Sequence, residues 1–343
     1  MKPRAITASF AALATAAMLG AMTSSAAAFS ACQVTDTGGV DDKGFNQTAW
    51  KGVQDAEKEL SIEGKLLESN AETDYDPNIN SFIAEGCDLI ITVGFLLGDG
   101  TKAAAEANPD QKFSIVDFAY DPALPNVLGQ VFATDEAAFL AGYLAAGVSQ
   151  SGIVGTFGGI NIPPVTIFMD GFVHGVAYYN AQKGKDVKVL GWDAGTKEGL
   201  FTNNFSSLDD GRAFAQNLYD EGADIVLPVA GPVGLGSAAL AAELGADKLK
   251  IIGVDVDQYV TDPEHGGVYL TSVEKKMDAT VMAAIKAAMG DSFEGGVTVG
   301  TLENGGVGLA PYHDLDSAVP AELKAEIDAI RQGIIDGSIS VKG

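Results

Sequence analysis

The stretch from Asp36 to Gln47 reads DTGGVDDKGFNQ: three aspartates, a lysine and two adjacent glycines, then Phe45 and Asn46. Carboxylates accept hydrogen bonds, an amide donates and accepts along one edge, and a phenyl ring offers a flat stacking face. Together these groups suit a neutral ligand that carries a ring. The plainer reading is a strand–loop–helix joint, with Phe45 on the core and the aspartates solvated, and the stretch alone leaves both open. Other candidates lie far along the chain. Phe205 sits in a loop before a helical pattern near Asp209, where it can mirror Phe45 across a cleft. Gly231 follows the apolar strand Ile225–Val229 and lets backbone approach a ligand closely. Lys275 follows the strand Val268–Ser272 and offers an ammonium to Asp255 or a ligand hydroxyl, though the plainer reading is a solvated surface cation.

Catalytic signals are weak beside these. His174, His265 and His313 are scattered, without metal-ligand spacing. Gly94 to Lys102 looks like a phosphate loop, but Thr101 precedes Lys102, where lysine and then Ser/Thr is required. Gly155–Gly159 does not form a dinucleotide fingerprint, and Ser237 lies outside a G-x-S-x-G elbow. The residues ask for binding rather than turnover, and no enzyme, metal or cofactor is expected.

The elements that must position these groups alternate along the chain. Apolar runs around Val34, Leu66, Leu89–Val93 and Phe113–Val116 read as strands of a first half. Ile153, Val187–Leu190, Ile225–Val229 and Ile251–Val254 read as strands of a second. Amphipathic stretches lie between them, at Glu136–Val148, Val165–Tyr179, Gly211–Glu221 and Ser237–Leu244 among others. Such alternation predicts α/β architecture, parallel sheets with helices on both faces. An internal repeat divides the chain. EGCDLII from Glu85 matches EGADIVL from Glu221, and each is followed by a glycine turn, an Ala-Ala-Glu helix and a strand ending in aspartate. Asp117 lies 29 residues beyond Asp88, and Asp255 lies 31 beyond Asp224. Two doubly wound domains facing each other bring Asp36, Asp117 and Asp255 into one cleft at the strand ends.

At 343 residues, 47% of them hydrophobic, the chain has length for two domains. The expected division is 1–28 an export signal, 29–150 mainly a first lobe, 151–272 mainly a second, and 273–343 crossing back to complete both. Lys2 and Arg4, an apolar run and the small residues Ala26–Ala28 make the signal. The mature protein is then exported, to the periplasm or the outer face of the cell membrane. The two cysteines, Cys32 and Cys87, enter an oxidising compartment. Phe29–Cys32 resembles a lipobox, but Phe29 fits it poorly and no tether would separate lipid from domain. With strands ordered 2-1-3-4, Cys32 and Cys87 sit at neighbouring strands, so a disulfide is expected. A net charge of −25 without a basic cluster argues against nucleic acid and anionic membranes as partners.

Several motifs, in order along the mature chain, resemble the basic membrane protein (BMP) family, purine-nucleoside-binding lipoproteins of bacterial ABC transporters. They are DTGGVDDKGFNQ, Gly158–Pro164 with Asp170-Gly171-Phe172, Gly253–Gln258 and Thr271–Lys275. The resemblance implies a periplasmic-binding-protein fold with two lobes joined by a hinge, a nucleoside in the interlobe cleft, and permease subunits as partners of a monomer. It implies Phe45 and Phe205 as the base sandwich, and Asn46 and Asp117 as base-edge partners. Asp255, Lys275 and Gly231 become ribose contacts. Asp257, two residues beyond Asp255, is a second candidate there, and Asp36 shapes the first loop. The chain departs from the family at Gly44, at Pro232 and in TNNFSSLDDG around Phe205. These departures bear on which ligand is bound. A sugar or other small metabolite, a sensor of the same fold and a nucleoside-acting enzyme are the alternatives.

Overall fold

The computed structural model describes residues 28–290 and 293–342 together with Met1. The expected export signal lies outside them but for its two end residues. Strands β1 (Ser30–Val34), β2 (Glu63–Leu67), β3 (Leu89–Val93), β4 (Lys112–Val116) and β5 (Val127–Phe132) alternate with helices α1 (Phe45–Leu60), α2 (Tyr75–Glu85) and α3 (Gly98–Ala107). The chain then runs through α4 (Thr134–Val148) to β6 (Ile153–Gly158), α5 (Pro163–Lys183) and β7 (Lys188–Leu190). After a two-stranded ribbon of β8 (Trp192–Asp193) and β9 (Glu198–Gly199) come α6 (Leu208–Asp220), β10 (Ile225–Val229) and α7 (Val233–Leu244). The last part holds β11 (Lys250–Asp255), α8 (Gln258–Thr261), β12 (Tyr269–Lys275), α9 (Met277–Met289), β13 (Gly296–Gly300), β14 (Val307–Leu309) and α10 (Ala321–Ile335).

The strands form two six-stranded sheets, ordered β13-β5-β4-β3-β1-β2 and β14-β12-β11-β10-β6-β7. All neighbours pair in parallel except β14, which runs antiparallel to β12. The expected 2-1-3-4 order holds in the first sheet. β1, β3 and β10 are five-residue runs buried at every position, the mark of central strands covered on both faces. Strand order reverses between β1 and β3 and again between β6 and β10, and ligands of such sheets bind beyond the carboxyl ends at those points.

The repeat seen in the sequence has a structural job. Asp88 accepts the Ser30 backbone N–H (2.7 Å) and hydroxyl (2.9 Å), fixing the start of β1 against β3. Asp224 accepts the Ser149 hydroxyl (2.7 Å) and the N–H groups of Gln150 (2.6 Å) and Ser151 (3.0 Å), fixing the entry to β6 beside β10. Cys32 and Cys87 form a disulfide, Cα–Cα 6.2 Å, buried with Tyr75, Ile79 and Phe82 of α2. With its sulfur in that bridge, Cys32 has no thiol to carry a lipid.

The chain passes from one sheet to the other after β5, after β12 and after β13. The first passage is α4, in which 12 of 15 residues are buried, so this helix has no solvent face. It crosses α5 backbone to backbone. A Cβ on Gly142 would lie 2.1 Å from the Phe172 carbonyl oxygen, and one on Gly175 would lie 2.0 Å from that of Phe139. Among the described residues no helix is long and apolar enough to cross a membrane.

Candidate functional site

The loop from β1 to α1 is built by its own aspartates. Asp42 accepts the N–H groups of Gly44 (2.9 Å), Asn46 (2.7 Å) and Gln47 (3.1 Å), the otherwise unpaired donors at the start of α1. Burial outweighs these bonds and pushes its carboxyl up to about 7. Asp36 accepts the Asn46 amide at 2.6 Å and the Gly38 N–H at 2.9 Å, and burial raises its pKa as well. Asn46 also donates to Asp42 at 3.3 Å and accepts the Asp36 N–H at 3.3 Å. Both amide hydrogens of Asn46 are thus spent on the loop. What remains for a ligand is acceptor capacity on Oδ1. Phe45, the first residue of α1, is half-buried beside this network.

Three more functional groups converge from the strand ends. Asp117 follows β4 with φ +62°, and Asp255 ends β11 with φ +71°. Left-handed backbone at a non-glycine residue is uncommon, and here the two repeat-related aspartates share it. Lys275 is the last residue of β12 rather than lying beyond a strand ending at Ser272. Its ammonium donates to Asp117 Oδ2 at 2.7 Å and lies 3.0 Å from Asp255 Oδ1, tying a first-sheet strand to a second-sheet one. The same nitrogen sits 4.6 Å from the Phe45 ring centroid. Burial lowers the pKa of Lys275, but Asp117 and Asp255 more than reverse this and hold the ammonium charged. Burial raises the pKa of Asp117, with Lys275 opposing it.

The second half supplies the facing wall. The Phe205 ring lies on Gly159, where a Cβ would stand 2.3 Å from Cε1. Gly231 follows β10 with φ +54° and open space on its side-chain side. Phe45, Phe205, Asp36, Asn46, Asp117, Gly231, Asp255 and Lys275 all line one cavity of about 600 Å3, part of it open to solvent. Asp257 is the exception. The left-handed backbone at Asp255 ends the strand's two-residue alternation, so Asp257 turns away and accepts from His313 Nε2 at 2.7 Å. The other two histidines are engaged elsewhere, His174 with the Val341 carbonyl and His265 with Asp262. Among the described residues no cluster of His, Cys, Asp or Glu could hold a metal ion.

The cavity also has walls that the sequence reading did not single out. Phe95 lies beyond β3, Phe168 on α5 and Asp42 in the first loop. Phe168 is the sixth residue of α5, in a run where apolar residues read as core. Its position just after the GGINIPP loop was the available signal.

Residues 29–343 match the model of a family described as ABC transporter substrate-binding protein PnrA-like. The chain is 33% identical, over 366 aligned positions and 99% of each chain, to the ABC transporter nucleoside-binding protein BmpA of Lactococcus lactis. It is 34% identical to basic membrane protein A of Borreliella burgdorferi, across 89% of this chain and 85% of that one. The crystal structure of an ABC transporter system solute-binding protein from Aeropyrum pernix matches with a TM-score of 0.82 at 25% identity, over 91% and 92% of the two chains. An arabinose-binding protein from Geobacillus stearothermophilus, at 14% identity and a TM-score of 0.60 over 85% and 100%, shares the fold alone. The architecture is that of the periplasmic binding proteins.

Proposed function

The chain belongs to the Bmp family of ABC transporter substrate-binding proteins, and we propose that it carries a purine nucleoside to an ABC importer at the outer side of the cell membrane. The family is one of solute receptors, not of enzymes. One observation carries the reading. Two phenyl rings, Phe45 and Phe205, come from the two halves of the chain to a single cavity that four carboxylates and one lysine also line. A planar base can stack on a ring at each of its two faces.

In this reading the base lies between Phe45 and Phe205, and Asp117 accepts from its N–H edge. Asp255 accepts from the ribose hydroxyls, with the backbone at Gly231 beside them. Lys275 holds both carboxylates in place, and Asn46 holds the first loop while offering an acceptor. Asp36, Asp117 and Asp255 outnumber the lysine, which disfavours a phosphate and points to a nucleoside rather than a nucleotide. The printed name of the Lactococcus relative, a nucleoside-binding protein, supports the same ligand class. The two halves act as lobes that close on the ligand by a hinge and present it to permease subunits, the receptor working as an exported monomer.

Mass spectrometry of whatever denaturation releases from the purified protein tests this directly. Calorimetric titration with guanosine, adenosine, inosine, adenosine monophosphate and ribose completes the test. Nucleosides should bind, and the monophosphate should bind at least roughly tenfold more weakly, as for an uncompensated charged contact. A released sugar together with no heat from any nucleoside overturns the proposal.

A further inference from the structure

Beside Asp117 lies a second cavity, of about 740 Å3 of empty space partly open to solvent. Phe118 and Ala119 beyond β4, Val131 and Phe132 at the end of β5, and Pro163 and Ile167 on α5 form its walls. Phe95, Asp117 and Pro164 belong to the walls of both cavities, so the two adjoin. Among its described wall residues, Thr134 is the one polar side chain besides Asp117. Water in such a space finds few partners, and an apolar group placed there leaves solvent favourably. An anion would meet the Asp117 carboxylate, while Lys275, the nearby cation, is already held by Asp117 and Asp255. A strongly polar extension would lose its hydration without gaining hydrogen bonds.

We propose that this annex is a subsite for an apolar substituent carried on the base edge that meets Asp117. The inference rests on the nucleoside reading above and narrows it: the ligands include nucleosides alkylated or arylated on an exocyclic amine. The chemistry of that amine fits the wall the cavities share. A singly substituted amine keeps one N–H for the Asp117 carboxylate while its substituent passes beyond that residue. The base stays in the main cavity, and the substituent fills the annex.

Calorimetric titration of the full chain with adenosine and with N6-benzyladenosine tests the subsite. Burial of a phenyl-sized group should tighten binding by roughly tenfold or more over adenosine. Ile167 lines the annex and not the main cavity, so Ile167→Trp fills the annex from the α5 side. That variant should erase the benzyl gain and leave the adenosine affinity within about twofold, the scale expected of a surface change away from the site. Ile167→Ala, which removes wall contacts instead, should reduce the gain without abolishing it. If adenosine binds and the benzyl derivative binds no tighter, the annex is not a subsite and the nucleoside reading stands. A benzyl gain that survives Ile167→Trp also overturns the annex, because the substituent then lies elsewhere. If neither compound binds, the nucleoside reading falls and this inference falls with it.

Discussion

Lys275 is placed so that its loss is felt by two other residues. Asp117 and Asp255 have side chains 9% and 8% exposed, and each has the ammonium as its partner. Removing one member of a buried charge pair costs about 3–5 kcal/mol, because the survivor stays buried and unpaired. Lys275→Met should therefore lower the unfolding free energy from chemical denaturation by an amount in that range, with a lower midpoint. Adding Asp117→Asn should recover part of the loss, since one stranded charge is gone. Equal midpoints for wild type and Lys275→Met would mean that the lysine does not hold the strand ends together. The aromatic pair makes a different kind of claim. Phe45→Ala and Phe205→Ala should each weaken nucleoside binding by about 1–3 kcal/mol in calorimetry, the usual worth of a base–aromatic stack. The double variant should lose less than the sum, because one ring is a full platform only when the other closes the slot. Wild-type affinity in Phe205→Ala would remove the sandwich. At this scale the sequence was readable where type and endpoint agreed, as at Asp117 and Asp255, paired by the repeat before any geometry was known. It misled at Asp257. Reading two residues on as the same face assumes extended backbone, and the φ of +71° at Asp255 breaks that assumption.

Strands that are continuous apolar runs announced themselves, and the less regular ones did not. β5 carries Gly129 and Gln130 in its middle, which interrupts the run. Gly129 is there because a Cβ would lie 2.6 Å from the Phe118 carbonyl oxygen, so close backbone approach decides the residue type. β13 is an edge strand with three exposed positions between glycines, and its partner β5 lies more than 150 residues earlier. No local pattern encodes such a pairing. The disulfide was legible for the opposite reason, since the strand order alone brings Cys32 beside Cys87. It closes a loop of 55 residues, which in the chain-entropy account stabilises the fold by about 4 kcal/mol. Cys32→Ala with Cys87→Ala should destabilise the protein by up to that amount in chemical denaturation. Alkylation of the wild type without reductant should leave its intact mass unchanged. Two alkylated thiols would show that the bridge does not form in solution.

The whole molecule adds a contact that neither half contains alone. Lys43, in the loop between β1 and α1, donates to Asp262 at 2.9 Å, just past α8 in the other half. Thr261 donates its hydroxyl to the Lys43 carbonyl at 2.8 Å, so the side chain and the backbone of one residue are both held. Asp262 is fully buried, and its second oxygen takes His265 Nδ1 (2.8 Å) and the Tyr269 hydroxyl (2.9 Å). Burial raises the pKa of Asp262, but Lys43, His265 and Tyr269 overcome this and hold it below the usual range, so the acceptor stays charged. The three chain passages between the sheets are covalent and persist whether the halves are open or closed. The Lys43 contact is not, and it joins the very loop that carries Phe45 and Asn46 to the opposite half. If the halves close on the ligand as proposed, this contact is a clasp on the closed state. A charged hydrogen bond is worth about 1.5–3 kcal/mol, and the 40% exposure of the Lys43 side chain reduces this to about 1 kcal/mol. Lys43→Met leaves Asp262 two partners, so the fold should persist and the unliganded melting temperature should barely move. Dissociation of a bound nucleoside should accelerate about fivefold in stopped flow, with the association rate nearly unchanged, because interactions formed on closure act on departure. Solution scattering should show wild type contracting when saturated with ligand and Lys43→Met contracting less at the same occupancy. If the dissociation rate stays at the wild-type value, closure is held by Lys275 and the aromatic slot alone, and the Lys43–Asp262 pair is a surface contact without a part in retaining the ligand.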